Sequence, residues 1–372
     1  MSSLVVDREG LSASDNSRVG VVVRGGGRSA CARDSGTGFV GSHTVSALVA
    51  HGHDIRLLVR SPDRIAPALR PLGLDASVDY VVGDVTDQDS VERALHGCDA
   101  VLHAAAVYTL DSRAYPEISR TNLRGTETVL DAAVRRGCDP VVHVSSFVAL
   151  LQRRATVTAD SPLSSARGVY VQSKAVSEAV ARRLQDDGAP VVTVYPGGSL
   201  GPHDPHLGDL MRRVRDVLRG RYPTWPTGGY HQTDVRDVAT LHAVVMSAGA
   251  GPRRYIVPGH HVDGRSMFNT LELVTGRRLR HVILPVQVML PLTWVATAAQ
   301  RVLPIHLPAE YEGVLLHRYD TRYDDSPARK EFGLQPRPLV DPYRDTVRWL
   351  YQAGWLYARQ VGDIRNLQTA DE

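Results

Sequence analysis

Residues 36–59 read GTGFVGSHTVSALVAHGHDIRLLV, and the order of elements in this stretch decides the fold. Three glycines, Gly36, Gly38 and Gly41, precede a run in which Val40, Thr44, Val45, Leu48 and Val49 recur at helical spacing. The run stops at Gly52, and Ile55–Val59 follows as a short, β-rich apolar segment. A loop, a helix and a strand in that order form the unit from which a helix-covered parallel sheet is built.

Outward from this stretch the pattern repeats. Val78–Val82, Ala100–Ala106, Val141–Val144 and Val191–Tyr195 read as further strands. Helices are expected from about Asn122 to Arg136 and from about Tyr170 to Gln185. Strands that are apolar throughout are what a sheet buried on both faces requires. The expected fold is therefore α/β, a Rossmann-type doubly wound parallel sheet, with its core over residues 36–195 and a return of the chain at 229–258, where Tyr255–Val257 is a candidate last strand. After Pro196 the texture changes to Pro, Gly, Trp and Tyr, and residues 196–360 read as a smaller C-terminal substrate-binding lobe, helical again over Asp341–Leu356. Residues 1–35 read as an irregular segment rich in Arg, Ser and Gly, with one isolated strand-like run, Val19–Val23.

Composition narrows the function. The chain has 372 residues, 43% of them hydrophobic, enough for a large α/β unit with an added lobe. A net charge of +3 with scattered arginines argues against a nucleic-acid partner. Cys31, Cys98 and Cys138 have no CxxC spacing, which fits a reducing, cytoplasmic setting and no metal site. His203 and His206 lie in a Pro-rich loop without a third ligand nearby and read as substrate-loop residues. The uncharged run Val282–Gln300 is interrupted by Pro285 and Pro291; a buried lid or interface helix pair is expected there, not a membrane span. The expected partners are a small-molecule substrate and, for assembly, a second copy in a homodimer, with peripheral membrane association left open.

The glycines at the helix start allow a tight turn and let a diphosphate approach backbone N–H groups, where the helix N-terminus favours negative charge. Gly36, Gly38, Phe39, Val40 and Gly41 are thus candidate cofactor contacts. Arg60 ends the next strand, where such folds meet the adenosine ribose. A cation there suits the 2′-phosphate of NADP(H), whereas an acidic residue would favour NAD(H), which stays possible. Asp84 and the small residues Ala104 and Ala105 sit after later strands, at the sheet edge where ligands bind.

Tyr170 and Lys174 lie four residues apart at a helix start, hence on one face. Of 43 basic residues only Lys174 and Lys330 are lysines, so a lysine here stands where guanidinium does not serve. A phenol titrates near pH 10, and a neighbouring positive charge favours its ionised form. Ser146, just past Val141–Val144, offers a hydroxyl that can hydrogen-bond a reacting oxygen.

These residues occur with GTGFVGSH, LLVR, GDVTD, HAAA, TNLRGT, VHVSS, YVQSK, YPGGSLGP and TDVRDVA, in that order. The sequence resembles the extended short-chain dehydrogenase/reductase superfamily, which includes NAD-dependent epimerase/dehydratases, dihydroflavonol reductases and 3β-hydroxysteroid dehydrogenases. The resemblance covers roughly Gly36 to Leu356. It implies that Tyr170 is the general acid/base, that Lys174 binds the nicotinamide ribose and lowers the tyrosine pKa, that Ser146 orients the substrate oxygen, and that Asn122 supports the lysine. It also implies adenine contacts from Asp84 and Val85, and cofactor contacts from Pro196 and Gly197. The LLVR ending is most similar to dihydroflavonol-reductase-like members, implying NADPH-linked reduction of a ketone or aldehyde on an apolar molecule, or the reverse oxidation. A sugar-nucleotide epimerase or dehydratase that retains NAD, and a non-catalytic NAD(P)-binding regulator, are the alternatives.

One departure stands out. The family's loop is G-x-x-G-x-x-G, and Ser35 occupies its first position. Either Val19–Val23 is the first strand and an insertion separates it from Gly36, or residues 1–35 come from a misassigned start or a shifted reading frame. The non-periodic Arg/Ser/Ala text favours the second.

Overall fold

The computed structural model describes residues 18–22, 37–74, 78–105, 115–302 and 311–364. Its main sheet has seven strands, all parallel: Arg18–Val22 (β1), Asp54–Val59 (β2), Asp79–Val82 (β3), Ala100–His103 (β4), Val141–Val144 (β5), Val191–Tyr195 (β7) and Arg253–Ile256 (β11). Their order is β3-β2-β1-β4-β5-β7-β11. Three smaller sheets accompany it. Gly198–Leu200 (β8), Gly229–Asp234 (β10) and His260–Asp263 (β12) form one; Thr224–Pro226 (β9) pairs with Val282–Leu284 (β13), and Thr156–Val157 (β6) with Arg322–Tyr323 (β14).

The period-2 alternation of each strand divides the core into two layers. Leu57, Val59, Leu102, Val142, Val144, Val192 and Val194 point to one face, where they meet Val45 and Leu48 of Phe39–Ala50 (α1) and Leu69 of Ile65–Leu69 (α2). Leu58, Val101, Val141 and Val191 point to the other. There they pack on Gln88–Leu95 (α3), on Tyr115–Arg135 (α4) through Val129 and Leu130, and on Val169–Asp186 (α5) through Val180, Ala181 and Leu184. Of the interior strands, β2, β4, β5 and β7 thus send apolar side chains into both layers, as their apolar text requires.

The chain then builds the lobe around Met211, Val214 and Leu218 of Asp209–Leu218 (α6). It returns to the main sheet through Val235–Val244 (α7), which packs against α1; the Thr44 hydroxyl and His242 Nδ1 are 2.8 Å apart in that interface. Phe268 and Leu271 of Gly264–Thr275 (α8), and Tyr343, Val347 and Leu350 of a later helix, close the lobe's core. That later helix is Val340–Gln352 (α12); Val286–Val302 (α9), Tyr311–Tyr319 (α10) and the short Ala358–Val361 (α13) also belong to the lobe, while Ser326–Phe332 (α11) packs through Ala328 and Phe332 on the main sheet at β11.

Two expectations change. Arg18–Val22, inside the stretch read as irregular, is an interior strand of the main sheet: Val21 is in register with Leu57 on one side and Leu102 on the other. Its signal looked isolated because the helix that belongs to it begins only at Phe39. Residues 23–36 between them, including the candidate Gly36, lie outside the described residues. The uncharged segment is the second change. α9 buries Val286, Met289 and Leu290 against α10 but leaves Val288, Leu292, Trp294 and Val295 exposed, so it is not a wholly buried lid. Among the described residues no helix is long and apolar enough to cross a membrane.

Proline at position 21 would remove an N–H from a strand paired on both sides. V21P is expected to cost about 1–3 kcal/mol or more in urea unfolding, through the lost ladder hydrogen bond and the acceptor left unsatisfied. An unchanged midpoint would show that this strand is not part of the sheet.

Candidate active site

The carboxyl edge of the parallel sheet carries the site. β5 ends at Val144, and Ser146 follows in extended conformation, capping the single turn Phe147–Leu150. α5 begins at Val169, directly after Gly168, and brings Tyr170 in its first turn to that edge. The Tyr170 and Ser146 hydroxyls are hydrogen-bonded. Lys174, one turn on, is only 6% exposed. The three side chains line a cavity of about 280 Å³ together with Phe39, Val40, Gly41, Ala104, Pro196 and Gly197. A Cβ on Gly197 would stand 2.7 Å from the His231 carbonyl oxygen, so close approach of β10 requires glycine there.

The start of α5 is completed from the lobe. Gly168 occupies the cap position and has no side chain to offer. Instead the Glu312 carboxylate of α10 accepts hydrogen bonds from the Val169 and Tyr170 N–H groups, at 2.6 and 3.2 Å. A carboxylate at a helix N-terminus satisfies two orphan donors and matches the helix dipole. Glu312 is itself buried and lines the cavity.

Burial sets the protonation states. It pushes the Tyr170 phenol up; the Ser146 hydroxyl pulls the other way, and Glu312 adds to the rise. The free site therefore holds a neutral phenol at pH 7. Burial also lowers Lys174 to about 8, against the nearby Glu178 charge, which raises it. Desolvation is thus the leading cause at both groups, outweighing the Ser146 hydrogen bond at Tyr170 and the Glu178 charge at Lys174.

Behind the lysine lies a buried polar row. Glu178, fully buried, accepts from Tyr195 Oη at 2.5 Å and from Arg182 Nε at 3.3 Å. Burial pushes its carboxyl up, and these two donors oppose that. His143 Nε2 is 3.7 Å from the other carboxylate oxygen, and its ring stacks on His103 at 5.9 Å. Burial lowers His103 to about 3 and His143 well below its ordinary value, so both rings are neutral beside Lys174.

The remaining candidates fall in two places. Gly38 caps α1 with an extended backbone, and Phe39, Val40 and Gly41 of its first turn line the cavity; α1 has no acidic residue in that turn. Arg60 faces Asp84, Nη1 to Oδ2 3.6 Å, while Asp84 Oδ1 accepts from Thr86. Val85 and Ala105 are buried, and Asn122 reaches α5 through Ser173, 3.4 Å away, rather than lining the cavity. Arg60 Nε and the Thr37 hydroxyl are buried with no hydrogen-bond partner among the described residues. These orphaned donors at the ribose end and in the glycine loop, with the open helix N-terminus between them, fit a dinucleotide.

Sequence reasoning missed Glu312 and Glu178, and also Arg213 and Tyr230, which line the cavity. Glu178 was readable in principle, one turn after Lys174. Glu312 was not: it meets Tyr170 across 142 residues. His206, read as a substrate-loop residue, lines the cavity and donates from Nε2 to the Thr37 carbonyl at 3.1 Å. Among the described residues no cluster could hold a metal ion.

A doubly wound parallel sheet with Ser146, Tyr170 and Lys174 gathered at its carboxyl edge is the arrangement of the extended short-chain dehydrogenase/reductase superfamily. Within it, the chain belongs to the NAD dependent epimerase/dehydratase family, which residues 36–257 match. A putative dihydroflavonol 4-reductase of Synechocystis sp. is 29% identical over 330 residues, covering 86% of this chain and 94% of its own. Sterol demethylase protein B of Methylococcus capsulatus is 28% identical over 329 residues, 86% of this chain and 98% of its own. The crystal structure of gox2253 superposes with a TM-score of 0.73 and 26% identity, over 92% of this chain and 100% of that one.

Two outcomes are expected. E312A should lower unfolding free energy by about 1–3 kcal/mol, and E312Q, which keeps one acceptor, by less; equal stability of all three proteins would remove the cap. The second concerns pH. Native Lys174 loses its proton near pH 8, whereas an ordinary lysine keeps it to 10.5, so the unfolded chain binds more protons between those values and the wild type gains stability there. K174M should therefore be more stable than wild type at pH 7, by roughly 3 kcal/mol, with the gap closing towards pH 10. A gap independent of pH would show that the lysine is not desolvated.

Proposed function

We propose that the protein is an NADPH-linked reductase of a ketone or aldehyde group on an apolar small molecule, running the reverse oxidation when the alcohol is supplied. The observation that carries this reading is the hydrogen-bonded Tyr170–Ser146 pair, its phenol kept protonated by burial, facing a cavity walled by Phe147, Val148, Leu210, Met211 and Leu316. The names of the Synechocystis and Methylococcus relatives, a reductase and a sterol-processing protein, support the reaction class and the apolar substrate.

The α1 N-terminus, from Gly38 to Gly41, would take the diphosphate, with Gly36 before it. Arg60 would take the 2′-phosphate, Asp84 and Val85 the adenine, Ala104 and Ala105 the neighbouring ribose, and Lys174, Pro196 and Gly197 the nicotinamide end. A bound nicotinamide supplies or accepts the electron pair. As negative charge grows on the substrate oxygen, Tyr170 gives up its proton to it, and Ser146 donates a hydrogen bond that strengthens with that charge. Lys174 stabilises the phenolate left behind, and the neutral histidines beneath add no competing charge. Asn122 acts through α5, holding Ser173 and with it the turn that carries Tyr170.

With NADPH and a panel of aryl and alicyclic ketones, Y170F should lose about 10²–10⁴-fold in kcat with cofactor Kd unchanged. R60A should weaken NADPH binding but leave NADH binding close to wild type. Turnover retained in Y170F, or equal use of NADH and NADPH by the wild type, would sink the corresponding half of the proposal.

A further inference from the structure

The lobe presents an apolar face to solvent. From Val282 to Gln300 there is no charged side chain. α9 has two apolar sides: one is buried on Val314 and Leu315 of α10, and the other is not covered by any of the described residues. On the uncovered side Val288, Leu292, Trp294 and Val295 are 54%, 64%, 62% and 59% exposed. Val288, Pro291, Leu292 and Val295 have i, i+3, i+4, i+7 spacing and so form one stripe, which Val282 and Pro285 continue towards β13. Over 282–295 the one exposed polar residue is Gln287. A helix at a protein–water boundary ordinarily turns its polar face outward, and a contiguous apolar patch of this kind marks a docking site.

The charges around the stripe select the occupant. Between Glu272 and Glu310 the sequence has no acidic residue and four arginines. Arg277 is turned inward, donating to the Leu218 and Gln360 carbonyls. Arg278 and Arg280 are exposed and immediately precede the apolar face. An apolar stripe with a tryptophan and two exposed arginines at one end complements an anionic lipid surface, the nearby Glu272 carboxylate being engaged by the Leu279 N–H. A two-fold pairing of the same face would instead bring two arginine-rimmed patches of like sign together. At 17 residues with an internal proline, α9 suits lying in the headgroup boundary rather than crossing it.

We propose that the β13–α9 face docks this protein on an anionic bilayer. α10, which packs beneath α9, supplies Glu312, Gly313 and Leu316 to the cavity wall, so docking puts the cavity one helix layer from lipid. The docking stands on exposure and charge alone, apart from the reaction proposed above.

The test is vesicle flotation of the full chain with phosphatidylcholine alone and mixed with phosphatidylglycerol, at low and high salt. Wild type should float with the mixed vesicles and less at high salt. Leu292→Glu with Trp294→Glu should abolish flotation at unchanged melting temperature, both side chains being solvent-facing. Arg278→Gln with Arg280→Gln should lower the partition coefficient about tenfold or more, on mixed vesicles only. Absence of wild-type flotation, or flotation undiminished in the Leu292/Trp294 double variant, would overturn the proposal. So would a wild-type dimer in sedimentation velocity that this variant dissolves without any vesicle binding, which would assign the face to a second copy.

Discussion

An ammonium group taken out of water costs several kcal/mol unless its surroundings compensate it, and Lys174 is almost wholly buried at the sheet's carboxyl edge. Much of the surrounding structure follows from that constraint. Glu178 lies one helical turn away and offers the opposite charge, and being buried it needs support of its own from Tyr195 and Arg182. His103 and His143 fill the space between strand ends and helix with polar rings that stay neutral, so they add no second cation. What results is a lysine that is charged at neutral pH yet close to its titration point, beside a phenol that keeps its proton.

The parallel sheet makes such a site possible because it is closed on both faces and open at one edge. Side chains that leave β4, β5 and β7 at their carboxyl ends enter a region where backbone pairing has stopped but helices still exclude water. The lobe finishes the enclosure. His206 reaches from its loop to the Thr37 carbonyl, and Gly197 lets β10 approach within the distance of a missing Cβ. The cavity wall is therefore drawn from the glycine loop, the sheet edge, the catalytic helix and the lobe together.

Much of this was legible in the sequence. Strands such as Val141–Val144 and Val191–Tyr195 announce themselves because burial on both faces leaves no room for polar residues. The Tyr170–Lys174 spacing carries its own geometry, since four residues on a helix bring two side chains onto one face. β1 was harder, because a strand is recognised by the helix that follows it, and here that helix is displaced to Phe39. The stripe on α9 was readable as apolar but not as exposed: composition does not say which side of a helix has a neighbour. Glu312 was beyond reach, since nothing near Gly168 announces a cap from so far along the chain.

That cap bears on how such proteins can diverge. Lobes set specificity, and recombination between relatives is one route by which a sheet could acquire a new one. In this protein the lobe also completes the first turn of the helix bearing Tyr170, through a single carboxylate. A lobe exchanged without an acceptor at that place would bring a new binding surface and leave two part-buried N–H groups unanswered beside the Tyr170 hydroxyl. Crossovers that preserve both are fewer than the shared architecture suggests, which ties the ancestry of the recognition surface to that of the proton donor.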